Sequence, residues 1–181
     1  MTAPPLSPLT PSARQGNWQF ANSLALLILR LMVGWIFINA GAGKLFGAFG
    51  GPGMSNWTAF MQGAGLPIFP PAVWAWISAV GEFSGGLLIL LGLLTRLAAI
   101  DTIVVMLFAI TLSTGKNGFG GIYVPEADAV KMGYAYNLTL IAISAALVLA
   151  GPGLISLDAP LFKRSLWSRG PQPLDQPVAR T

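Results

Sequence analysis

Four ionisable side chains interrupt the long apolar runs of this chain: Arg30, Lys44, Glu82 and Asp101. Glu82 stands in the middle of VWAWISAVGEFSGGLLILLGLLTR, Val73 to Arg96. A run of ~20 apolar residues spans a bilayer core. A charge at its centre costs ~2.5–3.5 kcal/mol on insertion scales, so it needs a partner or a job. Chemically, Glu82 can give or take a proton, and Arg30 can neutralise it or hold an anion. Arg30 and Glu82 fall at comparable depths in their runs when each residue advances 1.5 Å, which predicts an ion pair between them. The pair reads more readily as a lock between helices than as a catalytic device, because buried charges are paired in order to be tolerated at all.

Around these candidates lie weaker ones. Lys44 reads as a side chain that snorkels to the outer surface, with anion binding as the sharper alternative. Arg96 and the basic C-terminal segment are the expected neutralisers of Asp101. Tyr134 and Tyr136 open the last apolar run and read as interfacial anchors, as do Trp74 and Trp76. Asn137, one turn further in, is expected to bond across helices.

Arg30, Gly34, Phe37, Gly41 and Lys44 recur at steps of three or four and share one helix face, as do Glu82, Gly86, Ile89, Leu93 and Arg96. Gly81 with Gly85, and Gly43 with Gly47, form GxxxG pairs, read as packing contacts.

The 181 residues are 54% hydrophobic and 9% charged, against about 25% charged in a soluble domain. Such a chain cannot cover itself with polar groups and belongs in a lipid bilayer. Its net charge of +4 comes from residues scattered at the ends of apolar runs, which argues against nucleic acid as a partner. There is no Cys and no His. Disulfides, thiol nucleophiles, Cys-held iron–sulfur clusters and His- or Cys-ligated haem are thereby excluded, and no metal site is expected. No Walker loop, dinucleotide fingerprint or HExxH motif occurs. Gly118-Phe119-Gly120-Gly121 reads as a flexible loop.

The expected architecture is all-α: an integral-membrane four-helix bundle with both termini cytoplasmic. The spans are placed at Ser23 to Phe46, Val73 to Arg96, Leu97 to Ser113 and Tyr134 to Ala150. Residues 1–22 read as a disordered Pro-rich tail and 159–181 as a basic interfacial or disordered tail. A short interfacial helix over Ser55 to Met61 would turn Trp57 and Phe60 to lipid. Arg14, Arg96, Lys163, Arg164, Arg169 and Arg180 collect on one side, and only Lys44, Lys116 and Lys131 on the other, which sets the orientation by the positive-inside rule.

Several stretches carry a resemblance. Arg30 with GWIFINAGAGKL (Gly34 to Leu45), Gly81-Glu82, LGLLTRLAA (Leu91 to Ala99), Tyr136-Asn137-Leu138 and AGPGLISLD (Ala150 to Asp158) resemble the DoxX/DoxD-like membrane protein family over residues 24–158. Ala135 stands where members often carry Glu. The resemblance implies four membrane helices. Its DoxD branch implies a thiosulfate:quinone oxidoreductase working with a small DoxA-type subunit. Other members imply membrane redox complexes with sulfurtransferases and superoxide dismutase.

The leading functional expectation is therefore a membrane subunit of a quinone-linked oxidoreductase, passing electrons from thiosulfate to a membrane quinone. Glu82 and Arg30 are its catalytic candidates. Lys44, Arg96, Tyr136 and Asn137 are the candidates for substrate or quinone binding. The alternatives are a non-catalytic scaffold that recruits soluble redox enzymes, and a small-solute permease, which four short helices could form only as an oligomer.

Overall fold

The computed structural model describes residues 11–162. Most of the expected N- and C-terminal tails, 1–10 and 163–181, lies outside the described residues. Helix α1 (Pro11–Phe46) starts well before Ser23. After a tight turn come α2 (Gly53–Ala64), α3 (Pro71–Leu91) and α4 (Thr95–Ala109). A π-type turn over Ile110–Thr114 and a 3₁₀ turn carry α4 on to Asn117. Helix α5 (Ala135–Ala150) and the short α6 (Asp158–Phe162) complete the order.

Among the described residues three helices are long and apolar enough to cross a membrane: Trp18–Phe46, Pro71–Leu91 and Thr95–Asn117. The fourth apolar helix, Ala135–Ala150, has 16 residues and a length of about 24 Å. The expected fully helical fold needs one amendment. Between α4 and α5, where a loop was expected, Gly121–Val124 (β1) and Ala129–Met132 (β2) pair as an antiparallel hairpin. β-branched and aromatic residues (Ile122, Tyr123, Val124 and Val130) suit a pleated ribbon, and Pro125 with left-handed Asp128 closes it.

The bundle has two ends. The α3–α4 turn and the 151–157 segment form the turn end; α2 and the β hairpin lie at the hairpin end. Helices α1 and α3 run antiparallel in the closest contact of the fold. A Cβ on Gly34 would lie 2.7 Å from the Leu90 Cβ, and one on Gly86 would lie 2.6 Å from the Ile38 backbone N. These glycines let two backbones approach where lipid supplies no hydrophobic drive for association. Val33, Phe37, Ile89, Ala98, Leu140 and Leu147 fill the centre among α1, α3, α4 and α5. Outward faces stay apolar, as with Ile28, Met32, Ile77, Leu97 and Leu107. An inside and an outside that are both apolar suit a protein solvated by lipid.

The interfacial helix forms as α2, longer than the expected Ser55 to Met61. Phe60 is turned outward, but Trp57 is half-buried, stacks on Phe60 and donates from Nε1 to Ser78 Oγ at 2.9 Å. One face of α2 therefore packs on α3.

Candidate functional site

Arg30 and Glu82 do not pair. Arg30 is 2% exposed and spends its guanidinium on four backbone carbonyls. Nε donates to Ile89 at 3.0 Å and Nη2 to Leu90 at 3.1 Å, while Nη1 donates to Pro152 and Ile155, each at 2.7 Å. Ile89 and Leu90 belong to the last turn of α3, whose carbonyls lack the usual i+4 partner, although Ile89 O also accepts from the Gly92 N–H at 3.1 Å. Positive charge there also complements the negative end of the helix dipole. The depth argument failed because α3 ends at Leu91 with Gly92 at φ 69° instead of running on to Arg96. Its C-terminus, and not its midpoint, lies beside Arg30.

Asp158 completes this turn-end staple. Its Oδ1 accepts from the Leu94 N–H at 2.8 Å and its Oδ2 from the Thr95 N–H at 3.0 Å, capping α4. The Asp158 N–H donates to Gly92 O at 2.8 Å. A carboxylate capping first-turn N–H groups is favoured by hydrogen bonding and by the dipole together. Gly92 itself must be glycine: a side chain would meet both the Arg30 guanidinium and Ser156. Sequence reasoning passed over Asp158 as a functional part, although an Asp shortly after Gly-Pro-Gly could have signalled a cap.

The partner of Glu82 is Lys44 of α1. Lys44 Nζ donates to Glu82 Oε1, and this is the one salt bridge among the described residues. Glu82 is 4% exposed, and its Oε2 has no hydrogen-bond partner among the described residues. The expected snorkelling of Lys44 to the surface is therefore corrected: the side chain turns inward, and its Nζ lies 4.2 Å from the Trp57 ring centroid. A Lys two residues before the end of α1 can reach inward because α1 stops at Phe46, level with the middle of α3. Helix α2 then folds back, bringing Trp57 over the ammonium. A ring face over a desolvated ammonium is worth about 2 kcal/mol.

Asp101 approaches α3 from α4. A Cβ on Gly85 would stand 3.0 Å from Asp101 Oδ2, and one on Gly81 4.0 Å from either oxygen. The carboxylate thus faces the glycines of α3; the basic C-terminal segment expected to neutralise it, 163–181, lies outside the described residues. It borders a shallow groove of about 240 Å³ between α3 and α4.

The remaining binding candidates are dispersed. Arg96 is exposed at the turn end, beside Gly151 and far along the bundle from Lys44. Tyr136 is 44% exposed and borders a second groove of about 310 Å³ with Trp35 and Asn39 of α1. Asn137 is buried: its Oδ1 accepts from Thr114 Oγ1 at 2.9 Å and its Nδ2 lies 3.4 Å from Met106 Sδ. It ties α5 to α4, the cross-helix role expected of it. Among the described residues no group of three or more metal-ligating side chains occurs.

The candidate site is thus a Lys44–Glu82 pair under α2, with Asp101 reaching Gly81 and Gly85 of α3 from α4 and a backbone staple at the turn end. The family model for DoxX matches residues 25–115, the segment that holds Arg30, Lys44, Glu82 and Asp101. This chain belongs to the DoxX family. It is 33% identical over 141 residues to "Putative oxidoreductase CatD" of Bacillus subtilis (strain 168), covering 77% of this chain and 89% of that one. It is 32% identical over 152 residues to "Uncharacterized membrane protein Rv3486" of Mycobacterium tuberculosis, covering 78% and 83%. It is 29% identical over 147 residues to "Inner membrane protein YqjF" of Escherichia coli (strain K12), covering 78% and 95%. No solved structure matches significantly. Family membership and the apolar spans make this a multi-pass membrane protein.

Proposed function

We propose that this DoxX protein is the membrane subunit of a quinone-linked oxidoreductase, with thiosulfate as the donor anion and Lys44–Glu82 as its proton-handling centre. One observation carries this reading: Glu82 is held at mid-span with one oxygen on Lys44 and the other without a donor. Reducing a quinone takes up two electrons and two protons inside the bilayer. A carboxyl that is ready to accept a proton at that depth suits this need, and positioned acid–base groups contribute about 10²–10⁴-fold in rate. The name of the Bacillus relative supports a redox role. Arg30 acts as a positioning residue in this reading, since its donors are committed to backbone. The turn end, with Arg96, faces the cytoplasm under the positive-inside rule. A small partner subunit of the DoxA type would supply the donor-side chemistry that a chain without Cys or His lacks.

The test is quinone reduction by thiosulfate in proteoliposomes, with any co-purifying subunit retained. Wild type is compared with Glu82→Gln and Lys44→Met. Loss of about a hundredfold in both supports the centre. Unchanged rates in both remove it.

A second reading has its own support. The hairpin exposes Ile122, Tyr123, Val130 and Met132 next to the spans. Such a surface suits a scaffold that holds a soluble redox enzyme, with the ion pair serving structure alone. Absence of quinone reduction in every preparation, together with a partner lost on Ile122→Ser/Val130→Ser, would favour it.

A further inference from the structure

One amide within the spans lacks a partner that lipid cannot supply. Asn39 stands about 24 Å along α1 from Ser23, which accepts the Leu154 N–H at the turn end, and about 10 Å before the helix ends at Phe46. Its carboxamide carries two donors and an acceptor oxygen. Among the described residues it makes no hydrogen bond, and it borders the groove of about 310 Å³ with Trp35, Ala40 and Tyr136. Hydroxyls that face lipid elsewhere are satisfied by their own helices. Ser84 donates to Val80 O at 2.8 Å, Thr111 to Phe108 O at 2.9 Å and Thr139 to Ala135 O at 3.0 Å. Residues 1–10 cannot reach Asn39: it lies about 42 Å from Pro11 along α1, and ten extended residues span at most about 36 Å. The sequence 163–181 holds Lys163, Arg164, Arg169 and Arg180, and each of these charges is costly in lipid.

Asn39 follows Arg30 by nine residues, which at about 100° per residue is half a turn away. The Arg30 face packs on α3, so the Asn39 face points outward. Along it Ala21, Ala25, Ile28, Met32, Trp35 and Asn39 alternate steps of four and three, all exposed except the half-buried Asn39. This is the a/d spacing of two helices that wind round each other with a left-handed twist. The row is about 27 Å long, close to the thickness of the hydrocarbon core. Spacing alone does not choose this face. Ile77, Val80, Ser84 and Leu87 of α3, and Leu97, Ile100, Val104 and Leu107 of α4, keep the same rhythm. The amide chooses it: of the three rows, only that of α1 holds a polar group its own helix leaves unmet.

We propose that α1 pairs with α1 of a second copy of this chain, Asn39 bonding to its counterpart across a two-fold axis along the membrane normal. Copies inserted by the same positive-inside rule share one orientation. Their α1 helices therefore run parallel, and their Asn39 residues lie at one depth. A carboxamide is complementary to itself. The partial positive charge on each NH₂ meets the partial negative charge on the other's oxygen, and the two-fold makes both bonds at once. A single Asn at an a position fixes register and the number of strands. Ala21 and Ala25 let the backbones close toward the turn end. The Lys44–Glu82 pair lies on the far face of each α1 and stays enclosed within its own copy. The pairing is independent of the reaction proposed above.

The chain has no Cys, so single cysteines report on the seam without background. Full-length Ile28→Cys and Met32→Cys, in phosphatidylethanolamine–phosphatidylglycerol liposomes, are oxidised with copper phenanthroline and run on non-reducing gels. Both should give a covalent dimer. Ile77→Cys on α3 and Leu107→Cys on α4, comparably exposed positions, should stay monomeric. Sedimentation equilibrium in density-matched detergent then measures the dimer formed by the full chain without cysteine. Asn39→Ala should weaken it about tenfold, and Asn39→Gln should keep most of the affinity. Equal helical melting of wild type and both variants in dilute detergent shows that each folds. A wild type that is monomeric at every concentration overturns the proposal. Cross-linking at Ile77→Cys or Leu107→Cys as fast as at Met32→Cys overturns it as well. Asn39→Ala associating as tightly as wild type removes the amide bond from the pairing, and a mass of three or more copies removes the two-fold.

Discussion

Lys44 and Glu82 meet across the α1–α3 interface with Trp57 closing over the ammonium. The pair forms because α1 ends beside the middle of α3, so a residue near a helix terminus is opposite one near a helix centre. Its two members are unequal. Lys44 has an aromatic face and a carboxylate, whereas Glu82 depends on Lys44 alone among the described residues.

That asymmetry sets the first expectation. Lys44→Met should destabilise by about 3–5 kcal/mol, because it strands a buried carboxylate. Glu82→Gln in the Lys44→Met background should recover much of the loss. Thermal unfolding in detergent, followed by helical circular dichroism, measures both. Additive losses in the double variant would show that the pair does not couple.

The turn-end staple predicts that Arg30→Lys is not conservative. Four carbonyls are bound through three nitrogens of a planar fork, which a single ammonium cannot reproduce. A loss of at least about 2 kcal/mol is expected, from charged hydrogen bonds worth about 1.5–3 kcal/mol each. Hydrogen exchange should quicken at Leu154, whose N–H donates to Ser23 Oγ, and at Asp158.

Asp158→Ala removes both acceptors at the start of α4 and should cost about 0.5–2 kcal/mol, with Asp158→Asn milder. The measurement is again the melting temperature. Equal melting of Asp158→Ala and wild type would mean that the cap adds nothing.

Gly34→Leu should prevent the α1–α3 approach, since even a Cβ would lie 2.7 Å from Leu90. The expected result is loss of the monodisperse peak on size-exclusion chromatography. Gly63→Ala, with nothing within 4 Å, should leave the peak intact.

In the hairpin, Tyr123 Oη donates to Asp128 Oδ1 at 2.7 Å, which raises the phenol above its ordinary value of about 10. A raised folded value means that the contribution of the bond is whole below pH 10 and fades as pH climbs through the folded value. Ultraviolet titration of tyrosinate in a Tyr134→Phe/Tyr136→Phe background should therefore give a midpoint above that of free tyrosine, and Asp128→Asn should bring it back.

Much of this was legible in the order of residues. Apolar runs, their Gly and Pro boundaries and the 9% charge placed the chain in a membrane and marked its helices, because hydrophobicity and helix breaking are local properties. The Gly34 and Gly86 faces followed from helical spacing, and the cross-helix role of Asn137 from its depth. Family motifs were legible too, although Gly92 and Asp158 proved to be parts of a backbone staple. The pairing of charges was not legible. Depth along separate helices depends on where each helix ends and how far it slides past its neighbour. A few residues of offset gave Arg30 to the carbonyls of α3 and Lys44 to Glu82. The sequence by itself determined that Arg30 and Glu82 must be buried within the membrane spans. Only the tertiary structure decided which partner each one met, because that choice rests on helix register, set by glycine contacts between distant segments.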